Sequence, residues 1–214
     1  MTLYYLMENI ALTYSQASNV GVIVSIAPVF TAITAHIFLK EEGKLRPAFF
    51  MGCVIALIGI SLISFSGTTM HLNPIGDLLS VGGAIIWSFY SVLSKKIGSF
   101  GYSVVQATRR TFFYGILFMI PALFIFDFKW DLIRFATPAY LFNIFYLGLG
   151  ASAICFVTWN MAVRILGAIK TSVYIYLAPV VTAVTSVIIL HEKITFLSGL
   201  GILLVVGGLL LSEQ

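Results

Sequence analysis

The chain has 214 residues, of which 60% are hydrophobic and only 9% charged, with 12 Lys and Arg against 8 Asp and Glu. A soluble domain carries roughly 45–50% apolar and about 25% charged residues, so the apolar surplus excludes a water-soluble globule. The basic residues behind the formal charge of +4 sit in short gaps between apolar runs, which points to a membrane surface and away from nucleic acid.

A membrane-crossing helix needs about 20 apolar residues. Seven runs of roughly that size are predicted in chain order, at 17–39, 47–66, 76–94, 108–126, 138–163, 171–190 and 194–212, preceded by a shorter apolar segment from Met1 to Tyr14. None alternates apolar with polar residues, so the spans read as helices and the predicted fold class is an all-α integral membrane bundle. The segments between them are too short to hold a soluble catalytic domain. Counted on alternate sides of these segments, Lys40, Lys44, Arg46, Lys95, Lys96, Arg109, Arg110, Arg164 and Lys170 fall on one side, and Lys129, Arg134 and Lys193 on the other. The richer side is expected to be cytoplasmic, in the plasma or inner membrane, with both termini on it.

Sliding the chain against itself by 151 positions aligns Asn9–Glu41 with Asn160–Glu192 without gaps, and 13 of the 33 pairs are identical. The centre of the match is Ala27-Pro28-Val29-x-Thr31-Ala32-x-Thr34 against Ala178-Pro179-Val180-x-Thr182-Ala183-x-Thr185, and beyond it Gly52 and Gly59 echo Gly201 and Gly208. The two copies are five spans apart, an odd number, so they cross the membrane in opposite directions. Inverted repeats of this kind characterise secondary transporters, whose similar halves exchange conformations around one central site. The expected organisation is a first repeat over 1–66, a linker over 67–75 and a second repeat over 76–214.

These features resemble the EamA-like branch of the drug/metabolite transporter superfamily. The resemblance is carried by Asn160-Met161-Ala162, the two Ala-Pro-Val motifs, the helix-ending Leu39-Lys40-Glu41 and Leu190-His191-Glu192, the paired glycines that follow, and Gly76-Asp77-Leu78-Leu79 with Trp87. It implies a complete parent of ten helices in two sets of five, a central cavity, and export of small metabolites such as amino acids. Against that pattern the chain is expected to lack the first two helices and part of the third.

Candidate cavity residues are the polar and aromatic groups at membrane depth. A charged side chain there costs at least about 2.5 kcal/mol, so Glu8 is expected to face a cavity or a partner. Asn9 and its repeat mate Asn160 are candidates for substrate contact or for bridging helices, and Trp159 is the mate of Glu8. Trp87, Tyr90, Ser91 and Ser94 share one helical face by their spacing of three and four, and Tyr174 and Tyr176 add further hydroxyls. Pro28 and Pro179 each remove a backbone hydrogen bond and crowd the carbonyl four residues earlier, of Val24 and Ile175, so they are candidate hinges. Glu41 and Glu192 read as turn contacts with Lys44 and Lys193, and His36 as an isolated polar contact.

The expected function is a secondary transporter, with an inactive remnant or a membrane scaffold as the alternative. An intramembrane enzyme is disfavoured, because His36, His71 and His191 are scattered, no Gly-x-Ser-x-Gly occurs, and no phosphate-binding glycine loop is present. No metal or cofactor is expected. The expected partners are the bilayer and a small-molecule substrate, with Gly52-x3-Ala56 a weak signal for a homodimer.

Overall fold

A computed structural model describes residues 1–39, 46–65, 73–126, 136–190 and 195–213, and these are helical with no strand among them. The elements are α1 (Thr2–Tyr14), α2 (Ala17–Val24), α3 (Ala27–Phe38), α4 (Pro47–Ser64), α5 (Pro74–Ser99), α6 (Val104–Ile125), α7 (Pro138–Phe145), a π-helical segment (Tyr146–Ile154), α8 (Cys155–Leu166), α9 (Ala168–Val173), a 3₁₀ turn (Tyr174–Tyr176), α10 (Leu177–Leu190) and α11 (Phe196–Ser212). Six continuous stretches are long and apolar enough to cross a membrane: Ala17–Phe38, Pro47–Ser64, Pro74–Ser99, Val104–Ile125, Pro138–Leu166 and Ala168–Ile189. The apolar α11, with 17 residues, falls just short of that length, and α1 has 13. These elements occupy the seven expected runs and the shorter segment before them. Glu41, Glu192, Lys44, Lys193, His71 and His191 lie outside the described residues.

The helix starts follow local chemistry. Asn73 caps α5, its Oδ1 accepting from the amides of Ile75 at 3.1 Å and Gly76 at 3.3 Å, while Pro74 occupies a first-turn position that needs no N–H. Gly76 packs so closely on Ser15 that a Cβ would collide with it, and the Ser15 hydroxyl donates to Asp77 Oδ1 at 3.1 Å. The Gly76-Asp77 pair therefore ties the start of α5 to the end of α1. At Gly167 the backbone takes φ +95°, which only glycine adopts without strain, and this turns α8 directly into α9.

Helices α4 and α11 close the bundle with small residues. A Cβ on Gly59 would stand 2.6 Å from the Gly201 carbonyl oxygen, a Cβ on Gly201 would stand 2.6 Å from that of Gly59, and Gly208 meets Gly52 O and Ala56 N at the same distance. Early residues of α4 thus meet late residues of α11, so the pair is antiparallel. Each repeat's first glycine faces the other's second, which is the exchange that an inverted duplication produces. The Gly52/Ala56 face that hinted at a homodimer is consumed inside the chain. Around this pair Phe49, Cys53, Ile60, Val205, Leu209 and Tyr176 form the main core. Helix α5 runs through the centre of the molecule, packing on α1, α2, α3 and α8.

Candidate functional site

Both prolines sit at breaks. In the first repeat the span is interrupted at Ser25–Ile26, and Pro28 occupies the first turn of the new helix α3. The Ile26 amide turns back to Ile23 O at 3.1 Å, a tighter bond than the α-helical one, and Ser25 Oγ donates to Gly21 O at 2.7 Å. In the second repeat the span passes through the 3₁₀ turn Tyr174–Tyr176 before α10, with Pro179 in its first turn. Shifted by 151 residues, the first break falls on 176–177 and meets the second at Tyr176. Proline offers no N–H to the carbonyl four residues back, and it tolerates a helix start far better than a helix interior.

Val24 and Ser25 of one break, and Ile175, Ala178 and Pro179 of the other, line a single crevice of about 660 Å³. Its polar wall includes Glu8, Ser18, Thr182 and Ser198. A second cavity, of about 320 Å³, is walled by Tyr4, Tyr5, Glu8, Trp87, Phe156 and Trp159, with Leu147, Ala151, Ser152 and Cys155 from the π-helical segment and the start of α8. Glu8 is the residue the two linings share. Both volumes fall in the range of about 300–1,000 Å³ typical of small-molecule sites.

The smaller cavity is an aromatic box. Trp87, halfway along α5, is its hub: its ring centroid lies 4.9 Å from Tyr4, 5.2 Å from Trp159, 5.5 Å from Tyr90 and 5.7 Å from Phe156. The rings are tilted or edge-on, arrangements worth about 0.5–1.5 kcal/mol per pair beyond their burial. Tyr4 and Glu8, one turn apart on α1, interact through their side chains. The indole nitrogens of Trp87 and Trp159 are buried with no hydrogen-bond partner. On the fourth wall, the π segment's wide turn sets Ala151 and Ser152 against the rings, and such turns recur at functional sites.

The structure separates the residues singled out from the sequence. Glu8, Trp87 and Trp159 reach the cavity, and Tyr90 backs it from a buried position. Asn160 stands behind the box as a bridge. Its Oδ1 accepts from the Tyr90 hydroxyl at 2.9 Å and its Nδ2 donates to Thr108 Oγ1 at 2.9 Å, joining α5, α6 and α8. Asn9 is exposed and donates to Tyr5 O at 2.7 Å, so the repeat mates have different environments. Ser91 Oγ returns to Trp87 O at 3.1 Å. Tyr174 is 41% exposed, whereas Tyr176 is fully buried in the main core beside Cys53. His36 is exposed on the last turn of α3. Tyr4, Tyr5, Phe156 and Cys155 were not singled out from the sequence. Their signal was the same spacing rule, with Tyr4 four residues before Glu8 and Phe156 three before Trp159. Among the described residues no group of three or more His, Cys, Asp or Glu could hold a metal ion.

Comparison with known proteins agrees with this architecture. The EamA-like transporter family matches residues 1–65 and 74–213. An uncharacterized transporter of Archaeoglobus fulgidus is 26% identical over 99% of this chain and 72% of its own length. One from Bacillus subtilis is 27% identical over 96% of this chain and 66% of its own. A probable terminal-alkyne amino-acid exporter of Streptantibioticus cattleyicolor is 26% identical over the whole chain and 70% of its own length. A crystal structure superposes with a TM-score of 0.81 at 20% identity, covering 98% of this chain and 71% of the other, which shows a shared fold. The matched segment thus spans about two thirds of these relatives. With its apolar helices, its inverted duplication and a family match over nearly its whole length, the chain is a multi-pass membrane protein and belongs to the EamA-like transporter family.

Proposed function

We propose that the chain acts as a secondary transporter that exports small metabolites, amino acids among them, by alternating access around the Glu8 cavity. The observation that carries this reading is the pair of helix breaks at Pro28 and Pro179, which occupy equivalent places in the two repeats and face one crevice. A break in each half gives each a point about which its outer helix segment can swing without unfolding, and inverted repeats can trade those positions. The exporter name of one relative supports amino acids as a class to test first. In this reading residues 1–66 and 76–214 are the two moving halves, joined by 67–75. The side rich in Lys and Arg faces the cytoplasm of a plasma or inner membrane.

The test is efflux from cells preloaded with labelled amino acids. Expression of the chain should raise the efflux rate, and the double variant Pro28→Ala/Pro179→Ala should insert normally yet lower that rate by roughly an order of magnitude. Full efflux in the double variant would sink the hinge.

A further inference from the structure

We infer that the aromatic box around Glu8 recognises the ammonium end of its substrate, so that organic amines occupy it in preference to neutral or anionic molecules. The site is the one proposed above for transport, and the substrate class rests on that reading.

Charge decides the class. Glu8 is the one formally charged side chain among the described residues lining either cavity, and no Lys, Arg or His joins it. The nearest basic groups on α5 and α8 are engaged elsewhere: Lys95 Nζ donates to Arg164 O at 3.0 Å and Arg164 to Tyr102 O at 3.3 Å, near the ends of those helices. A carboxylate entering the box would meet neutral donors at best, the hydroxyls of Tyr4, Tyr5 and Ser152 among them, and would lie beside Glu8. An ammonium group would meet the Glu8 carboxyl, the one acid of the lining, at a depth where a carboxylate without a cation is costly. The walls add to this, because the faces of Tyr4, Trp87 and Trp159 carry the negative side of their ring quadrupoles, and aromatic cages with an acid are how proteins hold ammonium ligands. Hydroxyls of the adjoining crevice point the same way. Ser25 and Thr182 give their protons to their own helices, at 2.7 Å to Gly21 O and 2.9 Å to Ala178 O, and so turn lone pairs toward an incoming donor. A cavity of about 320 Å³ has room for an arylalkylamine.

The experiment uses the whole chain in detergent micelles carrying Trp130→Phe, so that the remaining emission comes from Trp87 and Trp159, both cavity walls. Saturable changes in that emission are titrated with 2-phenylethylammonium, tetramethylammonium, L-phenylalanine, N-acetylphenylalanine and 2-phenylethanol. The expected order places phenylethylammonium at least as tight as phenylalanine, and both at least about tenfold tighter than the N-blocked and alcohol analogues. Glu8→Gln should erase that preference, and Glu8→Asp should restore part of it. Equal binding of 2-phenylethanol or N-acetylphenylalanine to the unsubstituted site overturns the inference without relying on any Glu8 variant. So does a preference that survives Glu8→Gln, or the lack of a saturable response to both ammonium probes. Uptake into proteoliposomes separates this from the transport reading. Amine binding without flux refutes transport and leaves the recognition standing; phenylalanine flux with no ammonium preference does the reverse.

Discussion

Asn160 shows how a polar residue at membrane depth can serve the bundle without lining a cavity. Its amide satisfies Tyr90 on one side and Thr108 on the other, both at 2.9 Å, and it lines neither cavity. Hydrogen bonds between membrane helices contribute about 0.6 kcal/mol on average and rarely more than 1.7. Asn160→Leu is therefore expected to lower stability by about 1–2 kcal/mol, read as an earlier midpoint in a denaturing-detergent titration. Its affinity for phenylethylammonium should shift by less than about threefold, since the Glu8 charge and the ring faces remain in place. A loss of binding as large as that of Glu8→Gln would move Asn160 into the cavity. At this scale the sequence was only half legible. Depth and polarity singled out Glu8 and Trp87, which line a cavity, but they could not tell a bridging Asn160 from a lining one. They also grouped Tyr174 with Tyr176, although a 3₁₀ turn places one in the open and the other under Cys53. Which way a side chain faces across a helix break depends on the break's own geometry, and no spacing rule extends through it.

Among the elements, hydrophobic runs located every span, and errors lie at the ends. Helix α5 extends from Pro74 to Ser99, beyond the expected 76–94, because Lys95 and Lys96 continue the helix with flexible stems that let their charges reach polar surroundings. The π-helical stretch inside 138–163 carried no hydropathy signature and was invisible in the pattern. The paired glycines were legible as a repeat, and the structure explains why the repeat keeps them: α4 and α11 approach until a Cβ would meet backbone. Gly208→Ala would set that Cβ 2.6 Å from both Gly52 O and Ala56 N, so the helices must separate. Overpacking of this kind costs about 1–3 kcal/mol. Gly21→Ala, where nothing stands within 4 Å, is the matched control and should be neutral or slightly stabilising. Thermal unfolding of the two variants in one detergent checks the contrast. Equal midpoints would mean that the α4–α11 contact is not tight in the folded protein.

At the scale of the whole molecule, the proposed orientation rests on charge and on the course of α5. This helix crosses the bundle once, starting beside Ser15 at the Asn73 cap and ending beyond Lys95 and Lys96, where Arg164 also lies. The latter end carries Lys95, Lys96 and Arg164, and by the positive-inside rule it is expected on the cytoplasmic side. Ile75 and Ser99 are exposed at opposite ends of the same helix, so a cysteine at each reports one side. In a background with Cys53→Ser and Cys155→Ser, an impermeant maleimide added to intact cells should label Ile75→Cys and leave Ser99→Cys unmodified until the membrane is opened. The two positions are joined by one continuous helix, so they must answer oppositely if that helix spans the bilayer. Labelling of both from outside would contradict the span. A clean reversal would keep the span and invert the protein, placing the ring box and Glu8 in the same helical frame but exchanging the sides from which the two halves open.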